Sequence, residues 1–314
     1  MNNFKTLAEF LSFFKDEQTC HSYFEKIRFR NGEYCPHCGH QGINRFTDGK
    51  RFRCKKCEKD FTIRTGTVFG ASKLPLQKWF IAIYLLSISK KGISSIQLAK
   101  QVGVTQKTAW HLDHRIRSAM KQNNGKLFGV VEVDETYVGG REKNKHASKR
   151  IKGTQGRNTK TKTPVIGFLQ RDGQIQAQVI GNVKTITIEK QVVDRIKFSS
   201  KIYTDDFKSY VRIGRYCRHE VVKHGSGEYA REGGIHSNGI ESFWSLLKRG
   251  YHGIYHQMSK KHLQRYVDEF VYRFNRRKDV AEDVFSNIVL GVSVNPKLTY
   301  KELVKPNGQK PEAA

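Results

Sequence analysis

Acidic residues are scarce in this sequence of 314 residues: 29 Asp and Glu stand against 57 Lys and Arg, a formal net charge of +28. Such an excess repels itself in a compact chain unless a polyanion neutralises it. Nucleic acid is the expected partner, with binding that weakens steeply as salt rises. Long apolar runs are missing as well. None reaches the ~20 residues needed to cross a bilayer. The opening "MNNFKTLAEFLSFFKDEQ" carries acids where a signal peptide has its apolar core. There is no basic amphipathic helix with a broad apolar face, which argues against a membrane surface as partner. A cytoplasmic protein is expected, without a membrane role. What remains is 37% hydrophobic and long enough for two or three domains with at least one sizeable core.

Cysteine is sparse too. Six residues fall at 20, 35, 38, 54, 57 and 217, four of them clustered. In a long cytoplasmic chain this pattern suggests a metal site rather than a disulfide scaffold. "YCPHCGHQGINRFTDGKRFRCKKCEKDF" pairs Cys35 with Cys38 and, fifteen residues on, Cys54 with Cys57. Each pair on a tight turn aims two thiolates at one ion, and two turns complete a tetrahedral Zn²⁺ site. His37 and His40 compete as ligands, but the regular spacing favours four sulfurs. A closed site of this kind is structural and performs no chemistry. Lys50, Arg51, Arg53, Lys55 and Lys56 surround the second pair, as either a solvated face or a nucleic-acid-facing one.

Apolar spacing predicts helix over residues 4–28 and again over 75–120, with the ribbon between. Within the second stretch, Ser94 or Ser95 caps one helix, Gly103 marks a turn, and Thr105 caps the next. That last helix would expose Gln106, Lys107 and Thr108 at its start, where a recognition helix meets base edges in the major groove. An ordinary helical hairpin gives the same pattern; the ribbon and the charge favour helix-turn-helix.

"KQNNGK", residues 121–126, reads as a linker. Beyond it the period changes. "LFGVVEVDETYVGG", "PVIGFLQRDG" and "QIQAQVIG" read as strands, with a turn at Asp172-Gly173. "TIEKQVVDRIK" is a helix, "KIYTDD" and "HEVVKHG" are short strands, and helices over 238–249 and 259–277 close the unit. The order implies an α/β domain with a mixed sheet. Residues 141–163 carry nine Lys/Arg and one Glu. They read as a solvated loop or as an arm, including Lys149, Arg150 and Lys152, that orders on DNA phosphates. The tail after Pro296 is polar and expected to be mobile.

In "VVEVDETYV", Val131 and Val133 point one way, Glu132 and Asp134 the other. An acid in an apolar strand is costly unless paired or metal-bound. "IYTDD" repeats the situation. There Asp206 can cap the following turn, which leaves Asp205 over. In "HSNGIESFWSLLKRG", Asn238 and Glu241 resemble a capping box. The helical wheel offers Glu241 another role. Ile240, Phe243, Trp244 and Leu247 form a buried stripe, and Glu241 and Lys248, two turns apart, share its rim.

The ribbon "CPHC…CKKC", "VEVDETYVGG", "YTDDFKSY" and "HSNGIESFWSLLKRGYHGIYHQMSKKHLQRYVDEFVYRFNRR" together resemble the DDE transposases of bacterial insertion sequences, in particular insertion-sequence family 1595, over nearly the whole chain. The resemblance implies a ribonuclease-H-like catalytic domain preceded by a zinc ribbon and a helix-turn-helix. It places the catalytic Asp, Asp and Glu on Asp134, Asp205 and Glu241, and a lysine on Lys248. Some relatives carry Asn as the third residue, and Asn238 stands nearby. Two Mg²⁺ ions, or Mn²⁺ in their place, are implied on the three carboxylates. The implied organisation is a helical segment over 1–29, a ribbon over 30–71, a helix-turn-helix over 72–121, a catalytic domain over 128–295 and a tail over 296–314. The implied function is binding of terminal inverted repeats, cleavage of double-stranded DNA and transfer of the freed 3′-end to target DNA. The protein would act as a homo-oligomer, at least a dimer on DNA, associated with a bacterial nucleoid. A domesticated, non-catalytic DNA-binding regulator predicts decayed acids, whereas all three are present. A nuclease without strand transfer fits the same residues.

Overall fold

Thr6 and Asp16 each accept a backbone N–H with their side chains, and so open the first two helices, α1 (Leu7–Phe13) and α2 (Glu17–Arg28). The computed structural model describes residues 4–122, 124–140, 142–151, 159–222 and 236–305. After α2 come three short antiparallel strands, β1 (Ile43–Arg45), β2 (Arg51–Cys54) and β3 (Asp60–Thr62). Helices α3 (Leu76–Ile88), α4 (Ser95–Val102) and α5 (Gln106–Ala119) follow. Pro75 precedes α3 and offers it no side-chain cap. Glu17 supplies one from α2: Leu76 N and Gln77 N donate to its two oxygens at 2.8 and 3.0 Å. Ser94 caps α4, Gly103 turns the chain at φ 66°, and Thr105 caps α5, as the sequence predicts.

The second unit, Gln122–Arg277, is built on a five-stranded sheet. Its strands are β4 (Val130–Val138), β5 (Thr163–Gln170), β6 (Ile175–Val179), β7 (Lys201–Asp205) and β8 (Arg218–Val222). The order across the sheet is β6-β5-β4-β7-β8. β6, β5 and β4 run antiparallel; β4, β7 and β8 run parallel. Three consecutive antiparallel strands with two parallel ones added beside the first are the topology of a ribonuclease-H-like domain. Asp172 makes the β5–β6 turn at a φ of 56°, where the sequence places it. Helix α6 (Thr185–Arg195) links β6 to β7. Helices α7 (Asn238–Gly250) and α8 (Leu263–Asn275) follow β8, with Tyr251–Tyr255 continuing α7 as a π-helical turn.

Alternation along β4 gives each sheet face its own core. Val131 and Val133 pack with Ile188 and Val192 of α6. Val138, Val165 and Leu169 pack with Ile240, Phe243, Trp244 and Leu247 of α7 and with Phe270 of α8. Burying side chains of this kind contributes about 1.5–3 kcal/mol each before entropy is counted.

The chain then returns to the first unit, which comprises Met1–Lys121 and Lys278–Ala314. Helix α9 (Ala281–Val294) therefore lies outside the sheet unit, whereas the sequence reading extended that domain to residue 295. Its apolar stripe explains the difference. Phe285 is fully buried among the rings of Phe4, Phe10 and Phe80, at centroid distances of 5.5, 5.3 and 5.4 Å. The polar segment after Pro296 is not a free tail either. It forms a short helix, α10 (Tyr300–Val304), whose Leu303 is fully buried. Residues 306–314, the rest of that expected tail, lie outside the described residues.

Candidate active site and zinc ribbon

β4 and β7 are parallel neighbours whose register pairs Glu132 with Tyr203. Continuing that register by two residues sets Asp134 beside Asp205, at the carboxyl end of β7. Carboxylate oxygens of Asp134, Glu135 and Asp205 all lie within 4.8 Å of one another. Asp134 faces α7, and its Oδ2 accepts from Trp244 Nε1 at 3.0 Å. Burial pushes the Asp134 carboxyl up to about 7, helped by the charges of Glu135, Asp205 and Glu241. Asp205 is buried, and its Oδ1 accepts from Phe207 N at 3.1 Å. Asp205, not Asp206, thus makes the local backbone bond here; the following turn takes no side-chain cap.

Pattern reading passes over Glu135, because alternation puts it on the opposite face of β4 from Asp134. It is 7% exposed and accepts from Tyr210 Oη at 2.5 Å. Burial and the three acids hold the Tyr210 phenol well above its ordinary range. The sequence signal available was the adjacent acid in "VDET" together with the tyrosine of "YTDDFKSY".

Glu241 is exposed one turn before Trp244 on α7. The expected capping box is not formed. Ser237 is the N-cap residue, it makes no side-chain capping bond, and Asn238 is already helical. Glu132 caps the helix from β4 instead. It is 1% exposed; Ile240 N donates to Oε2 at 3.0 Å and Arg171 Nε to Oε1 at 3.0 Å. A carboxylate suits the positive end of a helix, and the arginine balances its burial. Arg171 also donates to the His236 carbonyl at 2.8 Å. The fit needs Gly239, since a Cβ there would lie 2.7 Å from Leu169 Cδ2 and 2.9 Å from Glu132 Oε2. Gly167 likewise leaves room for the Trp244 ring, which would stand 2.6 Å from an added Cβ. One strand therefore carries both the acid facing the cluster and the acid that fixes the helix bearing Glu241.

In the ribbon, the four cysteine sulfurs lie within 4.8 Å of one another, with Cys35–Cys57 at 3.7 Å and Cys38–Cys54 at 3.6 Å. Tetrahedral Zn²⁺ with bonds of about 2.3 Å requires sulfur separations near ~3.8 Å, so the cluster fits zinc. Backbone N–H groups of Lys56 and Cys57 donate to Cys54 Sγ at 3.3 and 3.4 Å. With the neighbouring thiols, they draw the Cys54 thiol down to about 6. Gly39 and Glu58, each just after a cysteine pair, take left-handed backbone at φ 74° and 57°. His37 and His40 are not members of the cluster. Cys54→Ser is expected to lose stoichiometric zinc by metal analysis and to melt the ribbon while the sheet unit keeps its unfolding transition. A variant that retains zinc and melts like the parent contradicts a four-cysteine site.

The chain matches the transposase zinc-ribbon domain over residues 15–60 and the ISXO2-like transposase domain over residues 126–275. It is 33% identical over 249 residues to an uncharacterized protein in transposable element ISH50 of Halobacterium salinarum, covering 75% of this chain and 83% of that one. The chain belongs to the transposases of insertion-sequence family 1595. An uncharacterized transposase-like protein of Haemophilus influenzae is 28% identical over 104 residues, 32% of this chain and 81% of that one. A pre-cleavage Mos1 transpososome structure covers 67% of this chain and 78% of its own at 12% identity and a TM-score of 0.27. That score is too low to bear on the fold, which rests on the strand order.

In this transposase the matched transposase domain, residues 126–275, nearly coincides with the second unit, Gln122–Arg277. Lys248 is exposed two turns beyond Glu241 and, with Glu135, Lys162, Tyr251 and His252, lines a cleft of about 380 Å³. Lys162, from the strand side of that cleft, was not singled out in the sequence. At the start of α5, Gln106 Nε2 donates to Ser95 Oγ at 2.9 Å, Thr108 shares a hydrogen bond of 2.9 Å with Thr105, and Lys107 is exposed. The basic ribbon is partly neutralised by its own acids: Arg51 pairs with Asp48 and Arg53 with Asp60, both at 2.7 Å. Lys149 and Arg150 are exposed, Arg150 donating to the Lys145 carbonyl at 2.8 Å. Lys152 lies outside the described residues. No helix among them is long and apolar enough to cross a membrane.

Proposed function

We propose that this transposase binds the terminal inverted repeats of its element, cleaves DNA at their boundary and joins the freed 3′-end to target DNA. The observation that carries the reading is the convergence of Asp134, midway along β4, with Asp205 at the end of β7; Glu241 is not in that cluster, and its charge adds to the upward push on the Asp134 carboxyl. Crowded carboxylates, with burial and neighbouring charge raising the proton affinity of Asp134, are a hard-oxygen site that favours a divalent cation. Asp134, Asp205 and Glu241 would hold Mg²⁺, with two ions on the shared carboxylates and Mn²⁺ able to replace them. Such ions supply charge stabilisation to an in-line displacement at phosphorus.

The protein's own groups do the rest. Trp244 orients Asp134 through its indole N–H. Tyr210 orients Glu135, which stands against the same two aspartates and supports their geometry. Glu132 fixes the start of α7 and so the place of Glu241. Lys248 is set to grip a DNA phosphate in the adjoining cleft. The first unit would bind the repeats through α5, with Gln106, Lys107 and Thr108 toward base edges. Lys149, Arg150 and Lys152 would hold phosphates. Pairing two ends calls for at least a dimer on DNA.

The protein, a duplex ending in the flanking inverted repeat, Mg²⁺ and a supercoiled plasmid should yield plasmid covalently joined to the duplex 3′-end. Nicking without joining would make the protein a nuclease. Binding without nicking by the parent protein would make it a regulator.

A further inference from the structure

We infer that the segment Lys297–Lys305 is a second DNA-contacting element, lying beside α5 and taking duplex phosphates next to the bases that α5 meets. This rests on the reading of α5 as the helix that contacts DNA. Within the first unit the segment is tied to that helix. The Lys107 ammonium sits over the Tyr300 ring, 4.7 Å from its centroid. The imidazole of His111, one turn on, lies 3.2 Å from the Leu298 carbonyl through Nε2 and 5.7 Å from the Tyr300 ring. The segment is also fixed from within. Leu303 is fully buried, and Thr299 and Glu302 form a reciprocal capping box at the start of α10.

The segment's charge is mostly positive. Its one acid, Glu302, accepts from Thr299 N at 2.5 Å and from Thr299 Oγ1 at 2.7 Å. Backbone hydrogen bonding keeps its carboxyl below the usual range and therefore ionised. Lys297 and Lys301 are exposed and Lys305 half-buried. Three ammonium groups against this one exposed carboxylate leave the segment net positive beside α5, and they come from a segment already ordered before a partner arrives. A lysine set on a phosphate acts as a point charge, and that contact carries no base information. Tyr300 meanwhile restrains Lys107, so less side-chain freedom is lost when α5 docks.

The test uses the full-length, zinc-loaded protein with two fluorescent duplexes, one carrying the flanking inverted repeat and one scrambled. The double variant Lys297→Ala/Lys301→Ala should weaken binding to both alike. Its plot of log affinity against log salt should be shallower by about 1.8, two contacts at ~0.9 each. Lys107→Ala should instead reduce the preference for the repeat. If the double variant keeps the parent's affinity and slope while Lys107→Ala loses preference, the segment is no phosphate contact and α5 still is the reader. If neither variant changes anything, both readings fall. Tighter binding by the double variant would mean that the segment shields α5, and would overturn the inference as well.

Discussion

Glu241→Gln is expected to slow DNA cleavage roughly a thousandfold, the rate equivalent of losing several kcal/mol of metal-borne charge stabilisation. Repeat binding and melting temperature should stay close to the parent's. The structure makes this separation sharp. Had Glu241 been the partner in a capping box, Gln would serve there nearly as well and cleavage would survive. The start of α7 is held instead by Glu132, through Ile240 N, so the stability of the helix does not depend on the Glu241 carboxylate as a cap. Asn238→Ala is the control. Asn238 is an exposed residue of the first helical turn without a capping bond, and its loss should leave both stability and cleavage largely intact. An active Glu241→Gln protein, or an inactive Asn238→Ala protein that still binds DNA, would move the third ligand away from Glu241.

Asp134→Asn is expected to abolish cleavage and yet to stabilise the metal-free protein above neutral pH. The sign follows from the carboxyl held at about 7 against an ordinary 3.8. The folded state binds this proton more tightly than the unfolded state does. Stability from this group is therefore full below about pH 4 and is lost as pH rises to about 7. Over that window the loss is at most roughly 4 kcal/mol. Asn cannot ionise, and its amide oxygen still accepts the Trp244 N–H, so its melting temperature should vary less from pH 4 to 7. At pH 8 in chelator the variant should melt above the parent. Adding Mg²⁺ should raise the parent's melting temperature and leave the variant's almost unchanged. A parent that is as stable at pH 8 as at pH 5 without metal, or a variant that Mg²⁺ stabilises equally, would contradict the role of Asp134.

Local signals made much of the fold legible. Cysteine spacing placed the ribbon, alternation in "VVEVDETYV" sorted Val131 and Val133 from Glu132 and Asp134, and Ser94, Gly103 and Thr105 bounded α4 and α5. What escaped was set by long-range partners. The carboxylate of Glu132 reaches a helix start 108 residues further on, and no local pattern shows that it displaces the expected Asn238 cap. Glu17 does the same for α3 in the first unit. Glu135 was missed because a period-two rule assigns faces along one strand and cannot say which side chains meet at the end of its neighbour. The return of α9 to the first unit depends on Phe285 finding Phe4, Phe10 and Phe80, which are separated from it by most of the chain.

The most direct measurement is the position and chemistry of the cut. A labelled duplex spanning the junction between the inverted repeat and its flank is incubated with zinc-loaded protein and Mg²⁺, and the product is resolved at single-nucleotide length. The predicted result is a nick at the junction that leaves a 3′-hydroxyl. Asp134→Asn, Asp205→Asn and Glu241→Gln should each lose it while still binding the duplex. A nick of parental strength from any one of the three, or one that persists in chelator, would contradict a shared metal site on these carboxylates.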